Sequence, residues 1–192
     1  MKILISISLI FIIIVSIFLL IVFLCYSENK IQNKNHINKK VKDLFKSGKA
    51  DLVYSFYDSF IKNKELTINI VNNALCVDVP IHYFIAITWQ ESKFKPKARH
   101  TRNSDGSIDY GVFGLNSKTY KNYSKEYLEK IENNCRFAAN HLLEAYNKSN
   151  NWYSAIGIYN AGNENNINFK YVRNVLLYSD DLDNEFFEKM CK

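Results

Sequence analysis

The sequence predicts a mainly α-helical domain placed behind an N-terminal apolar helix. Thirteen Tyr, thirteen Phe and two Trp in 192 residues are too many apolar rings for a disordered chain. Two Pro and six Gly are too few turn-forming residues for a β sandwich. From residue 51 onward, apolar side chains recur at helical spacing. The length allows one domain with appendages, and the roughly 165 residues beyond the apolar segment suffice for a core without metals or a disulfide lattice.

Met1 and Lys2 precede the uncharged block Ile3 to Leu24. At ~1.5 Å per residue this block can cross a ~30 Å hydrocarbon core. Residues 1–27 are therefore expected to form a membrane anchor or a signal segment. Signal cores run ~7–15 residues, which favours the uncleaved anchor, although Cys25-Tyr26-Ser27 offers small residues for cleavage. Leu24 is too bulky for a lipid-attachment site at Cys25. The lysines that follow (Lys30, Lys34, Lys39, Lys40, Lys42, Lys46 and Lys49) would by the positive-inside tendency hold the large domain in the cytoplasm. Export, if it occurs, must be argued from the chemistry of the domain itself.

Residues 28–50 are rich in Lys and Asn and read as a polar stalk or a marginal helix; residues 51–192 read as the domain. Leu52, Val53, Phe56, Tyr57 and Phe60 predict a helix over 51–62, and Leu66, Ile70, Val71 and Leu75 predict the next. Pro80 suits a first helical turn, and Ile81, Phe84, Ile85, Thr88 and Trp89 follow at i, i+3, i+4, i+7 and i+8. That helix should end near Glu91-Ser92, before Pro96. His100 to Asn116 is expected to be a long irregular loop, a feature that is usually functional in a compact domain. Helices are then expected over 134–147, 152–159 and 169–178, with another from Asp183.

One lysine and no acid lie in residues 1–27, so the remainder carries a net charge of +5. That balance suits a membrane surface or an anionic polymer. No basic stripe is interleaved with aromatics, so nucleic acid is not an expected partner. Cys76, Cys135 and Cys191 show no metal-ligand spacing, and no metal or other cofactor is expected. A Cys76–Cys135 disulfide and buried free thiols both remain open.

Glu91 is the first candidate for chemistry. Ile87 and Phe84, at i−4 and i−7, place it on the face an amphipathic helix buries. Desolvation there would raise its pKa toward what a general acid needs near neutral pH. A frayed helix end with Glu91 solvated, or paired with Lys93, is the alternative. Asp105 and Asp109 lie in the long loop either as turn formers or as a second carboxylate holding a water. Ser92 as a nucleophile with His82, His100 or His141 as base lacks the Gly-x-Ser-x-Gly surroundings of a nucleophile elbow.

Several blocks, taken in order, resemble the soluble lytic transglycosylase catalytic domain, a relative of goose-type lysozyme. They are Trp89-Gln90-Glu91-Ser92-Lys93-Phe94-Lys95-Pro96-Lys97-Ala98, Asp109-Tyr110-Gly111-Val112-Phe113-Gly114-Leu115-Asn116, and Ile158-Tyr159-Asn160-Ala161-Gly162. Between the last two, Asn134 to Leu142 matches the small and apolar positions of the family's helix, and Tyr171-Val172 resembles its closing helix. The resemblance implies a lysozyme-like helical fold and cleavage of peptidoglycan between N-acetylmuramic acid and N-acetylglucosamine without water, leaving 1,6-anhydro ends. A muramidase that adds water and a catalytically silent wall-binding protein are the alternatives. By position, Glu91 would be the single acid/base and Ser92 would help shape the site. Gly111, Val112 and Phe113 would form the cleft wall, with Tyr159 offering its hydroxyl near Glu91. Asn160 would support the loop or bind an acetamido group, and Tyr171 would be a further substrate-binding residue. The family usually has Gln where Gly114 stands, and that Gln contacts the sugar, so affinity or subsite preference is where this chain departs. The expected partners are glycan strands and, through the first helix, the membrane. An anchored domain facing the periplasm, or a secreted one, is expected. A wall, secretion or flagellar assembly partner is not specified by any motif.

Overall fold

The computed structural model describes residues 2–98 and 103–191. In the first helix, side chains are described at positions 12–22, at 34 and from 36 onward. The chain divides into two compact units, Met1–His36 and Ile37–Lys192. The first helix, α1, runs Lys2–Lys46. Side chains Ile12 to Val22 are all exposed. Among the described residues, no helix is long and apolar enough to cross a membrane. Half of the expected span Ile3–Leu24 lies outside the described side chains, as does Cys25.

Residues 28–46 of the segment expected as a polar stalk or a marginal helix lie in α1. From Ile37 onward it belongs to the folded domain, with Ile37 and Val41 buried and Leu44 and Phe45 packed on the core. These four residues sit at helical spacing inside a Lys- and Asn-rich stretch, whose composition hid a narrow apolar stripe. Asn38 fixes the contact. Its Nδ2 donates to the Val79 carbonyl at 2.9 Å and its Oδ1 accepts from Ile81 N–H at 3.1 Å.

Helices α2 (Ala50–Ile61) and α3 (Lys64–Cys76) follow, joined at Lys62 and Asn63. The Asn63 side chain caps α3 by accepting from Leu66 N–H at 3.0 Å. Helix α4 (Ile81–Ser92) is buried at every position from Ile81 to Thr88. A helix that is apolar all round belongs at the centre of a domain, and α4 packs against α3 and against α8 (Phe169–Met190). The two C-terminal helices expected from the sequence are this one continuous helix. Its Asp183 Oδ1 lies 2.6 Å from His82 Nδ1, while His82 Nε2 lies 3.0 Å from the Tyr57 hydroxyl. An ionised carboxylate only accepts, so Nδ1–H donates to Asp183, and Nε2 shares the second hydrogen bond with the Tyr57 hydroxyl. His82 is thereby a satisfied core residue that ties α2, α4 and α8 together.

The expected irregular loop contains a two-stranded antiparallel hairpin, β1 (Asp109–Tyr110) and β2 (Leu115–Asn116), with Asp109 opposite Asn116. His100 lies outside the described residues. After a short helix α5 (Lys125–Glu129), which no periodicity announced, come α6 (Ile131–Ser149) and α7 (Trp152–Ala161). Helix α6 packs on α3 and α7. Cys76, Cys135 and Cys191 are free thiols, with Cys135 buried and the other two exposed.

Candidate active site

The cleft forms where the last turn of α4, the β1–β2 hairpin, α6 and the end of α7 meet. Its volume is about 630 Å³, and its lining includes Glu91, Asp109, Gly114, Asn116, Tyr159 and Asn160. Lys93, beyond α4, has positive φ and closes the helix. Glu91 therefore sits in an ordered final turn rather than a frayed end, above the fully buried Ile87 and Phe84.

Three influences act on the Glu91 carboxyl. Burial is the largest and raises its pKa; a hydrogen bond from Tyr171 lowers it; the nearby charge of Asp109 raises it again. The outcome is a carboxyl pushed up to about 7, far from the ordinary range of an exposed glutamate. The Tyr171 hydroxyl donates to Oε1 at 2.5 Å, which leaves Oε2 on the side of Gly114. An atom placed where a Gly114 Cβ would be lies 3.0 Å from Glu91 Oε2 and 3.8 Å from Asp109 Cβ. The two acids therefore flank this glycine at the cleft floor.

Asp109 is held in place by two amides. Asn116 Nδ2 donates to its Oδ1 at 2.9 Å, and Asn103 Nδ2 lies 3.2 Å from both carboxylate oxygens. Asp105 is the turn former of the pair. Its Oδ1 accepts from the Ser107 backbone at 2.9 Å and from the Ser107 hydroxyl at 2.7 Å, bonds that hold its carboxyl well below the usual range.

The hairpin turn is anchored by a residue whose role the sequence did not disclose. Asn134, fully buried at the start of α6, donates Nδ2 to the carbonyls of Tyr110 (2.9 Å) and Leu128 (2.8 Å) and accepts from Phe113 N–H at 2.8 Å. A Cβ on Gly111, whose φ is +74, would stand 2.2 Å from Asn134 Nδ2. Only glycine allows the turn to reach this amide. An Asn at a helix start usually suggests a local cap, so spacing alone gave no sign of the long-range contact.

The remaining expected residues fall in different places. Val112 and Phe113 are buried in the core, not on the cleft wall, because Phe113 stacks on Phe84 with ring centroids 4.3 Å apart. Gly111 is likewise buried beneath the turn. Ser92 is buried and its hydroxyl donates to the Thr88 carbonyl at 3.2 Å, so it faces its own helix and is not an available nucleophile. Tyr159 lines the cleft, but its hydroxyl donates to the Phe113 carbonyl at 3.0 Å. The hydroxyl on Glu91 is that of Tyr171, eighty positions away in the chain. Asn160 is exposed at the cleft rim. His141 lines the cleft beside Tyr159, with burial lowering its pKa. Among the described residues, no group of His, Cys, Asp and Glu could hold a metal ion.

No curated protein and no solved structure matches the chain. The family model of the transglycosylase SLT domain matches residues 70–175, which run from α3 into α8 and include Glu91, the hairpin and Tyr171. With over half its length matched, the chain belongs to the transglycosylase SLT domain family, whose activity is of the lytic transglycosylase type on peptidoglycan.

Proposed function

We propose that the protein cleaves the β-1,4 bond between N-acetylmuramic acid and N-acetylglucosamine with Glu91 as the single acid/base, leaving 1,6-anhydro ends. The observation that carries this reading is the Glu91 carboxyl, desolvated beside an open cleft and raised to about 7. Near neutrality it keeps a proton that Oε2 can deliver to the bridging oxygen. As the bond breaks, the carboxylate left behind is stabilised by the Tyr171 hydroxyl on Oε1. It then removes the proton of the sugar's own 6-hydroxyl, which closes on the anomeric carbon. The neighbouring acetamido group stabilises the cationic intermediate, so one carboxylate suffices, as in substrate-assisted exceptions to the two-carboxylate scheme.

Asp109 favours a second reading. A carboxylate held by Asn103 and Asn116 across Gly114 from Glu91 can stabilise the positive anomeric centre directly and support attack by water. Product mass separates the two: anhydro ends are lighter by one water than reducing ends. Mass spectrometry of muropeptides from purified sacculi is expected to show anhydro ends; reducing ends throughout would replace the first reading with the hydrolase.

The domain acts outside the inner membrane in this reading, because its substrate lies there. The uncharged block Ile3–Leu24 is the anchor, supported by its length and by the exposed Ile12, Phe18 and Leu19. Retention in the membrane fraction after alkaline washing is expected, and release by that wash would reject the anchor.

A further inference from the structure

Outside the cleft, a separate groove lies between the last turn of α4 and α8. Its volume is about 350 Å³, and Trp89, Gln90, Lys93, Asn174, Tyr178 and Asp181 are among its lining residues. Its apolar part is a set of rings. Trp89 stacks on Tyr178 with centroids 5.5 Å apart and an interplanar angle of 17°, and the buried Phe94 packs against both at 5.4 and 6.5 Å. Lys93, in its left-handed conformation at the end of α4, places Nζ 4.6 Å from the centre of the Trp89 ring. That ring is thereby taken up by a neighbouring ring and a cation, which leaves a sugar little to stack on.

Charge and polarity narrow the ligand. The α4 side is basic: Lys93 is followed by the exposed Lys95 and Lys97, and no acid stands between Glu91 and Asp105. The α8 side is acidic. Burial and then the charge of Asp181 raise the pKa of the Tyr178 hydroxyl, so that carboxylate stands close to the rings. The side-chain amides of Gln90 and Asn174 also line the groove, and no described residue hydrogen-bonds to either. An amide offers both a donor and an acceptor, which is what a peptide backbone needs. A polyanion would be repelled by Asp181 and a polycation by Lys93, whereas a short peptide bearing carboxylates and an amino group suits both.

The groove also lies within reach of the reacting centre. Gln90 directly precedes Glu91, and Asn174 comes three positions after Tyr171, whose hydroxyl is on Glu91. From Tyr171 to Asp181 helix α8 rises about 15 Å, a length that roughly four or five extended residues span at ~3.3 Å each.

We propose that this groove binds the peptide stem carried by the N-acetylmuramic acid residue, with Lys93 pairing with a stem carboxylate, Asp181 with a stem amino group, and Gln90 and Asn174 with the stem amides. The inference rests on the proposed function and adds a substrate requirement: peptide-bearing strands are cut in preference to bare glycan. The groove touches no reacting atom, so its contribution lies in affinity.

The test gives the full chain two substrates, soluble uncross-linked peptidoglycan strands and the same strands freed of peptide by an amidase, and counts new chain ends by mass spectrometry. The value of kcat/KM is expected to be roughly tenfold higher on the peptide-bearing strands, the scale of one charged contact, with the difference residing in KM. Lys93→Asn keeps a residue tolerant of positive φ and should narrow that gap to about twofold by weakening the peptide-bearing substrate. Asp181→Asn, at an exposed position of α8, should narrow it likewise, and covers the event that the first variant does not fold. Leu52→Ala, exposed on α2, should keep the gap. Equal cleavage of both strands by the wild type, a gap that survives both charge variants, or variants that slow both substrates alike overturns the stem groove and leaves the enzyme standing. Cleavage of neither strand by the wild type instead overturns the proposed function, and this inference with it.

Discussion

Replacing Glu91 by Gln should stabilise the protein, and by an amount that depends on pH. The folded-state pKa of about 7 stands against an ordinary value of 4.5. The folded state thus binds the proton more tightly than the unfolded state, and stability falls as pH rises from about 4.5 through 7. Each pKa unit corresponds to about 1.4 kcal/mol, so above pH 7 the buried carboxylate costs the fold about 3 kcal/mol. Glutamine is neutral at all pH values and its carbonyl can still accept from Tyr171, so the variant escapes this cost. The assay is urea or thermal unfolding of both proteins at pH 4 and pH 8. Near-equal stability at pH 4 and a gain of up to about 3 kcal/mol at pH 8 are expected, roughly 10 °C in Tm for a domain of this size. A variant equally stable or less stable at pH 8, or one shifted by the same amount at both values, would show that Glu91 is not desolvated as described.

Tyr171→Phe removes the bond that favours the charged carboxylate, so the alkaline limb of the pH–activity profile should move upward by about one pH unit; a downward shift would refute the assignment of that hydroxyl. Gly114→Ala places a methyl 3.0 Å from Glu91 Oε2 at a φ of +63, and kcat should fall more than KM rises; a pure KM effect would mean that Gly114 acts only on sugar affinity. Asn134→Ala leaves Phe113 N–H and the carbonyls of Tyr110 and Leu128 without their partner. It should cost at least about 2 kcal/mol in urea unfolding, and a smaller loss would demote the anchor. Asn38→Ala should destabilise the whole domain by about 1–2 kcal/mol, since α1 beyond His36 belongs to it; an unchanged unfolding midpoint would return that segment to the role of a stalk.

Helix α4 was legible because its apolar positions are local and periodic, and the same pattern placed Glu91 on the buried face beside Ile87 and Phe84. The helix around Phe56 and those containing Leu142 and Ile156 were legible for the same reason. Other features depend on partners far along the chain, which periodicity cannot see. Tyr171 reaches Glu91 across eighty residues, and Asn134 reaches the hairpin across more than twenty. The resemblance to the family gave Asp109 to Asn116 as one block, without the hairpin it forms, and assigned Val112 and Phe113 to the cleft wall; both are buried, with Phe113 stacked on Phe84. Between Tyr159 and Tyr171, both aligned with family tyrosines, only the packed helices decide which hydroxyl meets the carboxyl. The packed end of α1 was hidden by its lysines, because long charged side chains can flank a stripe of four apolar residues without breaking it.

Release of soluble muropeptides from purified sacculi by the full chain and by its Glu91→Gln variant bears most directly on the account. The wild type should release them, with activity falling as pH rises through about 7, and the variant should bind the sacculi but release none. Continued release by the variant at an undiminished rate would contradict the assignment of the proton donor and, with it, the mechanism.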